Sequence, residues 1–215
     1  EEDLNAQTLA KKIKTLWLPN ARALSPAEAE AIRAFVKSGG NLIATAKTSL
    51  YTERGEKRKN FALADLFGCD YAGEYSRKNR LVIKGANEIC GQLAGEMEHN
   101  EDFALLENIA PDVKILAFHR NLSGQEFPGI LFRKVGAGAG IYAAGPLEDK
   151  YLFCMAGINE INPGLNWTDK RNPAFQKLIC NIAAYNNREI PLIVKNLPRG
   201  ILAEVYRHQA DRLRG

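Results

Sequence analysis

Apolar positions in this chain fall in short, separated runs. Lys14–Asn20 reads as a buried strand whose apolar core, Leu16-Trp17-Leu18, is stopped by Pro19, because proline has no N–H to give to a ladder. Ser25-Pro26-Ala27-Glu28 then predicts a helix start, with Ser25 as cap, Pro26 at the first helical position and Glu28 closing a capping box. Ile32, Phe35 and Val36 form its apolar stripe, and Ser38-Gly39-Gly40 ends it. Asn41–Ala46 is a second buried strand. Strand, capped helix, glycine stop and strand make a βαβ unit, which predicts a right-handed crossover and parallel strands.

Beyond Ala46 the pattern becomes polar up to Gly55, a loop at the carboxyl end of a parallel strand. Asn60–Gly68 reads as a short helix capped by Asn60 and stopped by Gly68. The stretch from Gly73 to Gln125 patterns weakly, with strands expected over Arg80–Ile83 and Val113–His119. Gly129–Val135 and Ile141–Ala144 are expected to form a hairpin around the turn Gly136-Ala137-Gly138-Ala139-Gly140, since glycines supply the φ values a reversal needs. Asn172-Pro173 opens a helix with Phe175, Leu178, Ile179, Ile182 and Ala183 on one face. Leu4–Lys12 reads as a short helix, and Pro191–Val194 and Ile201–Tyr206 as short strands. No internal repeat or low-complexity linker interrupts the chain. One domain is expected over 1–190, with 191–215 leading out of it.

Charge and cysteine usage narrow the functions. Lys and Arg total 29 against 25 Asp and Glu, and the interleaving of the two signs argues against a nucleic-acid partner. The one basic cluster, Arg54, Lys57, Arg58 and Lys59, reads as a solvated loop. Cys69, Cys90, Cys154 and Cys180 lack Cys-x-x-Cys spacing, so neither a metal nor a redox cofactor is expected. Cys90 and Cys180 fall in apolar helical patterns. Free buried thiols are expected, which favours a reducing compartment such as the cytoplasm. No apolar run reaches about 18 residues, so no membrane span or signal segment is expected. A start at Glu1 without Met implies processing or excision.

Leu18-Pro19-Asn20, Leu24-Ser25, Phe35-Val36-Lys37-Ser38-Gly39-Gly40-Asn41-Leu42, Thr48-Ser49-Leu50-Tyr51, Gly55 and Phe61–Gly68 form an ordered series. With Gly136–Tyr142, the helix from Asn172, Pro191-Leu192 and Glu204-Val205-Tyr206, that series resembles the trimerisation domain of bacterial β-galactosidases and related glycoside hydrolases. The resemblance implies an α/β fold, flavodoxin-like or class I glutamine-amidotransferase-like, with a mostly parallel sheet sandwiched by helices. It also implies a domain without catalytic groups, which supports oligomer contacts and borders the cleft of a catalytic barrel in the same parent. Members of that family begin with a further strand and helix, for which only Glu1–Ile13 stands here. The sheet would then have an unusual edge, which either a partner covers or a longer parent completes.

Three chemistries can be weighed on the residues. An amidotransferase or Cys hydrolase needs a Cys on a tight strand-to-helix turn with a His beside it. Cys90 precedes Gly91 but has no glycine two positions before it and follows no clear strand, and His99, His119 and His208 are read as lacking the His-x-Glu spacing, so no triad is expected. A glycosidase site needs two facing carboxylates. Glu148, Asp149 and Glu160 carry no mark of such a pair, and read as solvated loop acids. Ligand binding at the strand edge would use Asn20, Thr48, Ser49, Tyr51 and Arg54, whose amide, hydroxyls and guanidinium suit sugar hydroxyls or a carboxylate. The same small polar residues also make local turns, the more common use of such residues. Tyr151 and Trp167 could stack on a sugar or pack in a core. The expected partners are therefore a second copy or the parent's barrel, with carbohydrate as a possible ligand.

Overall fold

The computed structural model describes residues 13–147 and 173–185. Expectations for 1–12, for Tyr151, Cys154, Trp167, His208 and the acids from Glu148 to Glu160, and for the strands after Pro191 lie outside the described residues.

Strand β1 (Thr15–Leu18) leads to helix α1 (Pro26–Lys37) and strand β2 (Asn41–Thr45). The Ser25 side chain accepts from Glu28 N at 3.2 Å, and the Glu28 carboxylate accepts from Ser25 N at 2.6 Å. That reciprocal cap contributes about 1 kcal/mol. Gly39, at φ 112, ends the helix as its position after Ser38 suggests. β1 and β2 pair in parallel, Thr15 facing Asn41 and Leu18 facing Ala44, as the βαβ reading requires.

The remaining elements are α2 (Ala64–Phe67), β3 (Asp70–Tyr75), β4 (Asn79–Ile83), β5 (Gly95–Glu98), β6 (Phe103–Glu107), β7 (Lys114–Asn121), β8 (Glu126–Val135), β9 (Gly138–Ala143) and α3 (Pro173–Ala184). Seven strands form one sheet in the order β1-β2-β9-β8-β7-β4-β5, while β3 and β6 form a separate two-stranded ribbon. Among the described residues, only β1–β2 and β2–β9 are parallel in the large sheet. Its other ladders are antiparallel, which corrects the expectation of a mostly parallel sheet. The reason is connection length. β8 and β9 are joined by Gly136-Ala137 and β7 and β8 by a short turn at Leu122–Gln125, and such links permit only antiparallel neighbours.

The hairpin stands where expected, but its glycines divide their work differently. Gly136, at φ 60, occupies the first place of a two-residue turn, which asks for positive φ. Gly138 and Gly140 belong to the strand. A Cβ on Gly138 would collide with the carbonyl oxygens of Val36 and Gly40, and one on Gly140 with that of Leu66. These residues are glycine because helices α1 and α2 press on the strand backbone, not because the chain turns there.

Asn60 is a second correction. Its Oδ1 accepts from Tyr71 N at 2.9 Å and its Nδ2 donates to Asp70 at 2.6 Å, tying the loop to β3. The helix it was expected to cap is shortened to Ala64–Phe67 and receives no side-chain cap, while Gly68 (φ 70) does stop it. Cys90 sits in a turn rather than a helix. Cys69 and Cys90 are buried, whereas Cys180 is exposed on α3.

Alternation along the central strands builds two cores, because successive strand residues face opposite sides. Leu42, Ala44, Leu131 and Tyr142 pack with Ile32, Phe35 and Val36 of α1, Leu66 and Phe67 of α2 and Phe103 of the ribbon. Ile43, Ile130, Phe132 and Ile141 pack on the other side with Phe175, Leu178 and Ile182 of α3. Among the described residues α1 and α2 thus pack in one core and α3 in the other.

Candidate functional site

Parallel strands β1, β2 and β9 end at a common edge, the place where open α/β sheets hold ligands. The expected polar residues Asn20, Thr48 and Ser49 do gather there. Their polar atoms serve the backbone. Asn20, at φ 45, donates its N–H to Thr45 Oγ1 at 2.9 Å and accepts from Lys47 N at 3.2 Å. Thr48 Oγ1 lies 2.7 Å from Thr45 O and 3.0 Å from Leu18 O, and its residue is fully buried. Ser49, also buried and at φ 65, accepts from Leu63 N at 3.2 Å. Ala46 (φ 50) lies between them, its carbonyl accepting the hydroxyl of buried Tyr142 at 2.6 Å.

Three non-glycine residues in the left-handed region within one loop cluster are held there by this bonding. The loop after β2 is thereby stitched to the loop after β1. Tyr51 N donates to Arg22 O at 2.8 Å, and Leu24 N donates to Tyr51 O at 3.1 Å. Tyr51 is half-buried, and Arg54 is exposed beside Gly55 at the turn beyond.

An ion network that the sequence reading did not anticipate flanks this edge. Glu74 on β3 pairs with Lys47 at 2.6 Å and with Lys57 at 3.6 Å, and accepts the Tyr71 hydroxyl at 2.9 Å. Lys57 also donates to Tyr71 Oη at 3.2 Å. Arg58 donates to Leu24 O at 2.8 Å. Of the basic cluster, Arg54, Lys57 and Lys59 are exposed as expected, although Lys57 also pairs with Glu74, while half-buried Arg58 holds the loop.

The hydrogen bond from Lys47 keeps the Glu74 carboxyl below its ordinary range, outweighing burial. A depressed folded value means that this contribution is present above the unfolded value and is lost as pH falls through the folded one. Glu74→Gln should therefore lower stability at pH 7 by about 1 kcal/mol or less, the range of half-exposed pairs. It should also shrink the loss on acidification from about pH 5 to pH 3, read from urea midpoints at each pH. An acid dependence equal to that of the wild type would rule the contribution out.

Deeper in the sheet lies a cluster of buried imidazoles. His119 on β7 and His99, just past β5, have ring centroids 4.7 Å apart, and both are fully buried. His119 stacks flat on Phe103 at 4.2 Å, and His99 tilts toward Phe175 of α3 at 6.0 Å. Burial first, then the nearby His99, holds the His119 imidazole well below its ordinary value. His99-Asn100-Glu101 does have the His-x-Glu spacing used in amidotransferase triads, which corrects the reading that none of the histidines has it. In the fold, Glu101 offers His99 its backbone N–H, at 3.4 Å from Nδ1.

The buried thiols are chemically quiet. Burial pushes Cys69 up to about 12 and raises Cys90 as well, so both stay protonated at neutral pH. A concavity of about 280 Å³ beside Cys90 is lined by Glu88, Ile89 and Gly91 together with Asn181, Ala184 and Tyr185 of the α3 end.

No protein-family model and no curated protein matches the sequence. Solved structures do match. The β-galactosidase of Bacillus circulans sp. alkalophilus superposes with a TM-score of 0.56 at 19% identity, over 63% of this chain and 20% of its own. Gan42B, a GH42 β-galactosidase from G. stearothermophilus, gives 0.56 at 16% identity, over 73% of this chain and 23% of its own. A cytoplasmic protein from Salmonella typhimurium gives 0.55 at 10% identity, over 82% of this chain and 72% of its own. This chain shares its fold with part of those β-galactosidases.

At these identities the likeness is one of fold alone. The chain spans about a fifth of the β-galactosidases it matches. What the matches support is a mixed α/β fold related to part of those glycoside hydrolases. The role of such a domain is a separate question.

Proposed function

We propose that this chain is a non-catalytic domain of a β-galactosidase-like glycoside hydrolase, serving self-association or bordering a substrate cleft built by a barrel of the same parent. The observation that carries the reading is the partial match, in which this fold accounts for about a fifth of each β-galactosidase. The parallel half, β1–α1–β2 with β9, is the part we assign to an amidotransferase-like ancestry. The state of the edge agrees with a supporting role. Asn20, Thr48 and Ser49 are spent on backbone, which leaves Tyr51 and Arg54 as the members of that set placed to touch a carbohydrate at the rim.

The Salmonella match favours a second reading, since it covers most of both chains and so fits a self-standing protein of this size. Such a protein would be an amidotransferase-like hydrolase of small molecules. Protonated Cys69 and Cys90 weigh against either as its nucleophile.

Light scattering of this chain and of the longer protein that contains it tests the first reading. Self-association of both is expected, and a containing protein that remains monomeric would remove the oligomer role. Replacing each cysteine by Ala in turn tests the second, because a cysteine hydrolase must lose turnover with its nucleophile.

A further inference from the structure

Two observations at the imidazole cluster define a device that the proposed role does not use. The first is the tautomer of His119. Asn79 Nδ2 donates to Arg77 O and Glu101 O, each at 2.9 Å, which fixes the amide so that Oδ1 faces the ring. His119 Nδ1, 3.1 Å from that oxygen, must then carry the proton. Nε2 is left as a bare acceptor, buried and without a hydrogen-bond partner among the described residues.

The second is the lid. Gly145, two residues past β9, lies directly on both rings. A Cβ there would stand 2.9 Å from His99 Nε2 and 3.2 Å from His119 Cε1. Among the described residues the other neighbours of His119 are uncharged. They are Asn79 and Leu81 from β4, Phe127 and Gly129 from β8 and Phe103 from β6. His99 is the titratable group acting on it. Arg120, next along β7, is committed to Glu96 and Glu126. On the segment that carries His99, the Glu98 carboxylate accepts from Asn100, and Glu101 gives its backbone groups to His99 and Asn79.

We propose that the His99–His119 pair is a proton-operated latch, which holds the segment 144–147 against the carboxyl edge at neutral pH and releases it on acidification. A proton arriving at His119 must go to Nε2, where the new N–H meets no acceptor among the described residues and adds charge beside a second imidazole. An uncompensated buried charge is relieved by whatever moves most easily. β7 is fixed by ladders on both sides, to β4 and to β8. The lid belongs to no ladder among the described residues, and its backbone bonds there run from Ala144 N to Gly129 O at 2.8 Å and from Ala104 N to Ala144 O at 2.9 Å. Opening there also reaches the candidate edge, because Ala143 O accepts from Ala46 N at 2.8 Å.

The sign follows from the depressed value of His119. The unfolded or opened form takes up a proton from about pH 6.5 downward, and the closed form does not. Closure is fully stable above that pH and weakens below it.

Hydrogen exchange of the intact chain between about pH 7.5 and pH 5 tests this, with protection factors corrected for the intrinsic rate. Protection of the Ala144, Gly145 and Leu147 amides, Pro146 having none, should fall by up to about tenfold per pH unit below pH 6.5, the limit for one proton, while Leu42–Ala44 of β2 keeps its protection. In His119→Asn the amide nitrogen can still donate to Asn79, and the fall should drop to less than half. Unchanged protection at 144–147, an equal loss in β2, or a full loss retained in His119→Asn would each overturn the proposal. Should that variant not fold, an NMR titration of the wild-type imidazoles decides instead. His119 should stay in its Nδ1–H form through pH 6, and a midpoint at the ordinary histidine value would overturn the latch.

Discussion

Gly138→Ala should lower stability by about 3 kcal/mol or prevent folding altogether, although it adds a single methyl group. The added carbon has no room, since the atoms it meets are the backbone oxygens of Val36 and Gly40 rather than the yielding end of a side chain. Relief would require α1 to lift from β9. That movement would break Ala137 N to Lys37 O, 3.1 Å, and Ala139 N to Gly40 O, 3.3 Å, and would open the core around Phe35 and Val36. Gly85→Ala supplies the control, because nothing lies within 4 Å of the carbon it would add and its φ is not positive. Urea unfolding followed by circular dichroism reads both. A Gly138→Ala loss no larger than that of Gly85→Ala would mean that α1 does not sit on β9.

Phe103→Ala should cost about 3–5 kcal/mol, the range for emptying a buried aromatic site. Phe103 joins the β3–β6 ribbon to the large sheet, stacking on Tyr75 of its own ribbon at 5.0 Å and on His119 of β7 at 4.2 Å, with Phe127 of β8 at 5.7 Å. A two-stranded ribbon has little stability alone. Its undocking should appear as an early loss of near-ultraviolet signal before the main urea transition, and Phe103→Leu should recover part of the lost stability. A single unshifted transition in Phe103→Ala would show that the ribbon is held by something else.

The parts of the fold legible in the sequence were those written locally. Ser25, Pro26 and Glu28 mark the start of α1 within four residues, Gly39 marks its end, and the apolar runs on either side are strands for reasons internal to each. The hairpin was legible as a pair of strands. Its turn was misplaced, because a glycine at a reversal and a glycine beneath a helix look alike until the helix is in position. β3, β5 and β6 were missed for a different reason. Gly95–Glu98 is short and carries two glutamates at exposed positions, so its only pattern is the pairing with β4, which no local window contains.

The candidate edge shows the same division. Polar residues after β2 could be read from Thr48, Ser49 and Tyr51, but whether their hydroxyls serve a ligand or the backbone depends on Leu18 and Leu63, distant in sequence. Glu74 offers no sequence signal at all, since Lys47 and Lys57 reach it only after the ribbon folds back. The imidazole cluster draws Asn79, His99 and His119 from three segments. A lone histidine in an apolar strand gives no hint of its neighbour.

Strands β2, β8 and β9 each contribute to both cores, residue by residue, and this limits how the chain can vary in length. One residue inserted within β9 would turn the Tyr142 phenol toward α3 and Ile141 toward α2, exchanging the contents of two compartments of different shape. Added or missing residues among natural relatives should therefore collect at Leu122–Gln125 and the other exposed turns, and leave the lengths of these three strands untouched.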